Sequence, residues 1–315
     1  MSLIFFPPAI QKINSEIALH AGVDMYVLRL DLMHPWVNGN KWFKLKYNLL
    51  EAKEKHFTTL LTFGGAYSNH IYATAAAGNL FGFHTIGVIR GEETLPLNPT
   101  LSFAVQQGMQ LVYLNREMYR QRNTAALQKY LQQRFGEVFI IPEGGSNLNG
   151  VRGCTEIIGD AMLKAGSAYA FNRVCVACGT ATTLAGISLS LYEGQRAIAF
   201  PVLKNGLFLA QEIESLLTNY LASGLPTPSN PASWELVCDY HFGGYAKLNN
   251  ELLLFSQQFR EEYGIPLDYV YTAKMFYGVI DLLKQGFFSK GDSLLLVHTG
   301  GLQGNIGMEE RYLQQ

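Results

Sequence analysis

The chain has 315 residues, 48% of them hydrophobic, with 24 basic against 25 acidic side chains and a net charge of -1. That length supports a large core and two domains, and the balanced charge carries no signature of a DNA, RNA or anionic-lipid surface. There is no unbroken apolar run of about 18 residues, so no membrane-spanning helix is expected.

In chain order, Met25–Leu30 is a short strand candidate. Lys41–Lys55 suits a helix, with Leu45 and Leu49 on one face. Thr59–Gly64 predicts a strand, Asn69–Gly78 a small-residue helix and His84–Ile89 a strand. A helix around Leu101–Gln107, a strand at Leu111–Leu114, a helix over Thr124–Phe135 and a strand at Val138–Pro142 follow. The second half repeats the rhythm: helix Val151–Lys164, strand Arg173–Cys178, helix Thr182–Leu191, strand Ala197–Leu203 and helix Leu209–Asn219. Then come strand Glu235–Tyr240, helices Leu248–Tyr263 and Ala273–Gln285, and strand Ser293–Gly300. The proline-bearing stretch 222–234 reads as a surface loop.

Short strands alternating with helices of this length predict an α/β fold with mostly parallel sheets. Such sheets bind ligands at the carboxyl ends of their strands. Five strands here end in glycine-rich polar sequences: 63–70, 142–147, 177–183, 239–245 and 298–304. ACGTATTLAG (177–186) sits between a strand and a helix, where backbone N–H groups and threonine hydroxyls can converge on an anion. It lacks the lysine of a P-loop and the spacing of a dinucleotide fingerprint; the alternative is a plain strand-to-helix turn.

Ser68 fits an N-cap, and His70 fits a structural residue better than a catalytic one. Glu143 suits an acid or base, or satisfies backbone N–H groups. His298 reads as a hydrogen-bonded core histidine and Lys274 as a solvated helix residue. Cys175 and Cys178 form a CxxC without a second pair, in a strand context that favours core cysteines over zinc or redox chemistry. With Cys154 and Cys238 they make four cysteines, too few for a disulfide scaffold. The start MSLIFFPPAIQKI has no basic leader and reads as mature chain, so a cytoplasmic setting is expected.

Lys41 in GNKWFKL stands beside a glycine, just inside a helix. A lysine, one anion loop and no metal cluster together suggest pyridoxal phosphate (PLP), whose aldehyde a lysine captures and whose ring stores electrons. Spacing alone does not single out Lys41. Six pieces do so together: NGNKWFKLKY (38–47), TFGGAYSNH (62–70), IPEGGSNLNG (141–150), CGTATTLAG (178–186), DYVYTAKMFYG (268–278) and VHTGGLQG (297–304). In this order they resemble the 1-aminocyclopropane-1-carboxylate deaminase and D-cysteine desulfhydrase family, within the tryptophan synthase β-like, fold-type II PLP enzymes.

The resemblance implies that Lys41 carries the cofactor, Asn69 meets the ring hydroxyl, and Gly179, Thr180, Ala181 and Thr183 form the phosphate loop. Ser68, Tyr271 and Tyr245 face the substrate, Thr272 partners the ring nitrogen, and Thr299 with Gly300 closes the pocket. It also implies two α/β domains, residues 1–51 plus 161–315 as the larger and 52–160 as the inserted smaller one, and a homodimer acting on a small amino acid. A threonine at 272 in place of a glutamate weakens the electron sink and favours D-cysteine desulfhydration. The alternatives are aminocyclopropane carboxylate deamination and a non-catalytic cofactor-binding protein. Departures from the pattern are Phe43 and Tyr72 for arginines, Lys46 for glutamate, Tyr67 for glutamine and Ala181 for glycine.

Overall fold

A computed structural model describes residues 5–159, 170–226 and 233–313. Its strands are β1(Ala9–Ile13), β2(Asp24–Arg29), β3(Thr59–Gly64), β4(His84–Arg90) and β5(Met109–Leu114), then β6(Phe139–Ile141), β7(Arg173–Cys178), β8(Arg196–Pro201), β9(Ser233–Leu236) and β10(Ser293–His298). They form two sheets, one of order β1-β2-β10-β7-β8-β9 and one of order β5-β4-β3-β6. Every pairing is parallel except β1 with β2.

The helices are α1(Glu16–Ala21), α2(Asn40–Glu54), α3(Asn69–Phe81), α4(Pro99–Gln106), α5(Arg116–Arg120), α6(Ala125–Phe135) and α7(Leu148–Cys154). After these come α8(Thr182–Ser190), α9(Leu209–Ala222), α10(Asn250–Tyr263), α11(Thr272–Lys284) and α12(Gly304–Leu313). The larger sheet is a three-layer unit. On one face Val174, Val176 and Cys178 pack with Leu184 and Ile187 of α8 and Ile213 of α9. On the other, Cys175 and Ala177 pack with Phe259 of α10 and Met275 and Val279 of α11. Covered on both faces, the central strands read as continuous apolar runs rather than as alternation. The same arrangement settles the CxxC: Cys175 and Cys178 enter opposite cores and are free thiols.

All strands of the smaller sheet fall between 59 and 141. α2 joins the two units, because Phe43 enters the large core while Leu45 and Leu49 pack with Leu60, Ala73 and Ile141. α7 packs on α2 and α8, on the side of the larger sheet.

Four local expectations change. β1, α1, α5 and α12 carry regular structure where none was expected. The strand expected at 235–240 is 233–236, and the chain turns at 239–240 instead. The helix expected over 151–164 starts at Leu148, and residues 160–164 lie outside the described residues, as do 227–232 of the proline-bearing loop. Lys274 is fully buried rather than solvated, because the loop over 241–244 folds its carbonyls onto it. No helix among the described residues is long and apolar enough to cross a membrane.

Candidate active site

The first turn of α2 is docked by glycine. Gly39 has φ +65°, and a Cβ there would collide with the Thr299 carbonyl, so only glycine brings the helix start this close. The Gly39 N–H donates to Leu30 O at 2.9 Å and the Asn40 N–H to Thr299 O at 3.3 Å. Asn40 then bridges: its Nδ2 donates to Thr183 Oγ1 at 2.9 Å, and its Oδ1 accepts from Lys41 Nζ at 2.9 Å. Burial, and secondarily the Lys44 ammonium, push Lys41 down to about 7. Near neutral pH its amine is therefore partly unprotonated, the form that attacks an aldehyde.

Lys44 lies three residues on, on the same helix face as Lys41. It is 3% exposed, and its Nζ donates to Thr180 Oγ1 at 3.1 Å. The loop it meets leaves β7 through Gly179 and Thr180 and enters α8 through Ala181, which is left-handed at φ +60°. Ala181 provides no side-chain cap, so the first N–H groups of α8 have no side-chain oxygen to receive them. Glycine is usual at such a φ, and the alanine keeps it at some conformational cost. A buried ammonium, two threonine hydroxyls and an open helix start suit a phosphate.

The opposite wall comes from the β3–α3 loop. Ser68 caps α3, its Oγ accepting from His70 N at 3.2 Å and Ile71 N at 3.3 Å, which leaves its own proton to donate elsewhere. Asn69 Oδ1 accepts from Gln303 Nε2 at 3.1 Å. Thr62 Oγ1 donates to Ile141 O at 2.8 Å, so it accepts from His70 Nε2 at 2.9 Å. His70 thus carries its proton on Nε2, while its buried Nδ1 has no protein partner. Burial and the two nearby lysines hold it well below the usual histidine range, so it is neutral.

Tyr271 packs over Gly179, and its ring centroid lies 5.8 Å from Lys41 Nζ. The Tyr245 ring meets it edge-on, with centroids 6.1 Å apart. Burial, reinforced by Tyr245, holds the Tyr271 phenol well above its usual range. Lys274 pins the Tyr245 loop by donating to His241 O at 2.9 Å and Gly244 O at 2.7 Å.

Lys41, Ser68, Asn69, Gly179, Thr180, Ala181, Thr183, Tyr245, Tyr271, Thr299 and Gly300 all border one cavity of about 490 Å³. Thr272 does not border it. Its hydroxyl is taken up by Asp268, donating to Oδ1 at 3.0 Å and accepting from the Asp268 N–H at 2.7 Å. Asp268 is 1% exposed and receives the N–H groups of Val270, Tyr271 and Thr272, so it fixes the turn that presents Tyr271. His298 donates from Nε2 to Pro266 O at 2.7 Å and accepts the Gly300 N–H at 3.2 Å, a core histidine that shapes the Thr299 loop. Glu143 borders the cavity and is ion-paired to Arg122 at 2.8 Å.

Sequence reasoning missed Lys44, Asp268, Arg90 and Arg122. The three-residue spacing from Lys41 would have pointed to Lys44, and the four-residue spacing to Thr272 would have pointed to Asp268, whereas the two arginines depend on contacts distant in the chain. No group of three or more potential metal ligands occurs among the described residues. The residues present fit PLP: a low-pKa amine for the aldehyde, a cationic cradle for the phosphate, and an unpartnered imidazole nitrogen in the cavity wall.

A model of the pyridoxal-phosphate dependent enzyme family matches residues 14–300. A Pyrococcus horikoshii protein provisionally named a 1-aminocyclopropane-1-carboxylate deaminase is 30% identical, over 95% of this chain and 90% of its own. The mitochondrial bifunctional D-cysteine desulfhydrase/1-aminocyclopropane-1-carboxylate deaminase of Arabidopsis thaliana is 30% identical, over 96% of this chain and 78% of its own. The D-cysteine desulfhydrase of Yersinia enterocolitica is 27% identical, over 91% and 89%. Among solved structures, an aminocyclopropane carboxylate deaminase homologue matches with a TM-score of 0.85 and 28% identity, over 100% of this chain and 95% of its own. O-ureido-L-serine synthase, at 13% identity and a TM-score of 0.68 over 98% of this chain and 96% of its own, shares the fold. With a family match over most of its length and a cavity suited to the cofactor, the chain belongs to the pyridoxal-phosphate dependent enzymes, with the fold-type II architecture and PLP as its cofactor.

Proposed function

We propose that the chain deaminates a small amino acid, releasing ammonia and an oxo acid. The observation that carries this reading is the placement of the Lys41 amine under the Tyr271–Tyr245 pair, in the cavity that also holds the phosphate cradle. When bound, PLP supplies an electron sink for the bond broken next to the substrate amine. The protein's own groups divide the remaining work. Lys41 Nζ takes up or releases a proton near neutral pH, as a general base must. Tyr271 is held as a neutral phenol, so it donates a proton rather than acting as a resting anion. Ser68 presents a hydroxyl proton at the start of α3, whose dipole favours a carboxylate.

The finer reading we favour is ring opening of 1-aminocyclopropane-1-carboxylate, which with one water gives 2-oxobutanoate and ammonia. Relatives at 30–31% identity carry that name. D-cysteine, which with one water gives pyruvate, hydrogen sulfide and ammonia, is the second reading, because a 30% identical relative carries both names. The argument that Thr272 favours D-cysteine loses its footing, since that hydroxyl is turned to Asp268. The test is an absorbance scan of the holoenzyme with aminocyclopropane carboxylate, D-cysteine, L-cysteine and D-serine, with oxo acid, sulfide and ammonia measured in parallel. Ammonia and 2-oxobutanoate from the cyclopropane are expected. Sulfide and pyruvate from D-cysteine alone would reverse the two readings, and no spectral change with any of the four would remove both.

A further inference from the structure

We propose that Arg90, seconded by Arg122, selects amino acids whose side chain ends in a second anionic group. This rests on reading the cavity as a small-amino-acid site. Arg90 is the last residue of β4, at the carboxyl edge of the smaller sheet, beside the strand whose loop leads to Ser68. Its Nη2 lies 3.4 Å from where a Cβ would stand on Gly65, so the guanidinium rests against that loop. Among the described residues no carboxylate comes within ion-pair distance of it. Arg122, by contrast, is compensated by Glu143.

The two guanidiniums flank the ring of Tyr119, at 5.9 Å for Arg90 and 5.2 Å for Arg122. At these distances a guanidinium gains a cation–π attraction while its N–H groups can still bond an anion. Both arginines border the cofactor cavity and also an adjoining recess of about 970 Å³. Arg116 and Arg120 line that recess too, against the single carboxylate of Glu92. Where the two cavities meet there is thus a cation without a counter-charge, which favours an anion. Arg90 borders the same cavity as Tyr245 and Tyr271.

An amino acid has one α-carboxylate, and Ser68 with the start of α3 already offers a place for it. The arginine at the rim is surplus to that need, and a second acidic group uses it. The two arginines lost from the sequence pattern do not fill this role elsewhere: Phe43 is in the large core, and Tyr72 stacks on Phe103 at 3.8 Å.

The test is calorimetric binding of each enantiomer of cysteate and of alanine to the holoenzyme, in wild type, Arg90→Gln and Arg90→Lys. Cysteate carries a sulfonate that stays charged across the working pH, and alanine is its neutral counterpart. For the preferred enantiomer, cysteate is expected to bind at least about tenfold more tightly than alanine, as one charge-assisted hydrogen bond at a partly solvated site allows. That ratio should fall toward one in Arg90→Gln and recover in part in Arg90→Lys. A wild-type ratio near one, or an advantage that survives Arg90→Gln, would overturn the inference while leaving the amino-acid reading intact. A guanidinium that only attracts amino acids in general would change both ligands alike and give that same refuting result. If alanine and cysteate both fail to bind and no oxo acid forms from the four amino acids above, the amino-acid reading fails first and this inference falls with it.

Discussion

Two lysines lie at the starts of two helices, and they are used in opposite ways. Lys41 lies in the first turn of α2 and Lys274 in the first turn of α11, and burial lowers both, to about 7 and about 8. Lys274 is 0% exposed and spends its protons on two backbone carbonyls. Lys41 has one amide oxygen as its hydrogen-bond partner and otherwise faces an open cavity. A lowered pKa therefore does not identify a catalytic lysine by itself. What distinguishes the two is room for a ligand beside the nitrogen, and only Lys41 has it.

The strongest way to break this comparison is to exchange the outcomes. Lys41→Ala should lower turnover by on the order of 10³-fold or more, the scale of removing a positioned base and nucleophile. It should also abolish covalent capture of PLP, read by absorbance and by borohydride trapping. Lys274→Met should leave capture in place. It strands one buried and one half-buried carbonyl, so thermal and denaturant unfolding should show a loss of about 2 kcal/mol. The loop bearing Tyr245 is then unpinned, and kcat should fall more than cofactor affinity. If Lys274→Met lost capture and Lys41→Ala kept it, the roles assigned to the two nitrogens would be reversed.

The same contrast shows what could be read from sequence. The parallel sheets were legible because short strands alternate with helices along the chain, and the interiors of β7, β8 and β10 are apolar, as strands covered on both faces must be. The site loops were legible because glycine and hydroxyl residues at strand ends have few other uses. β1 and α12 were not, since β1 is an exposed edge strand defined by its pairing with β2, and α12 has little apolar character of its own. Lys274 misled because its burial comes from a loop some thirty residues earlier in the chain, which helix periodicity cannot report. Thr272 was expected at the ring nitrogen, whereas its hydroxyl is hydrogen-bonded to the carboxylate four residues before it, a pairing the resemblance does not report. Lys44 was available from spacing alone, at three residues from Lys41 on one helix.

Lys44 sharpens the comparison from the other side, as a buried cation that donates to a threonine of the proposed phosphate loop. Lys44→Gln should weaken PLP affinity about tenfold, the worth of one charge-assisted phosphate contact, with capture by Lys41 retained. Titration of apoenzyme with PLP reads this directly.

The smallest effect is a displacement along the pH axis. Because burial and Lys44 lower Lys41, its reactive free amine is present above about pH 7 and is lost as pH falls through that value. The rate of PLP capture by apoenzyme should therefore rise with pH and level off just above 7, whereas an ordinary lysine would keep gaining to beyond 10. Removing the Lys44 charge removes the second cause of the shift and leaves the first. In Lys44→Gln the rising limb should move to higher pH yet stay well below that of an ordinary lysine. A limb unmoved by the substitution would mean that burial alone sets the Lys41 amine, and that the two lysines of α2 act independently.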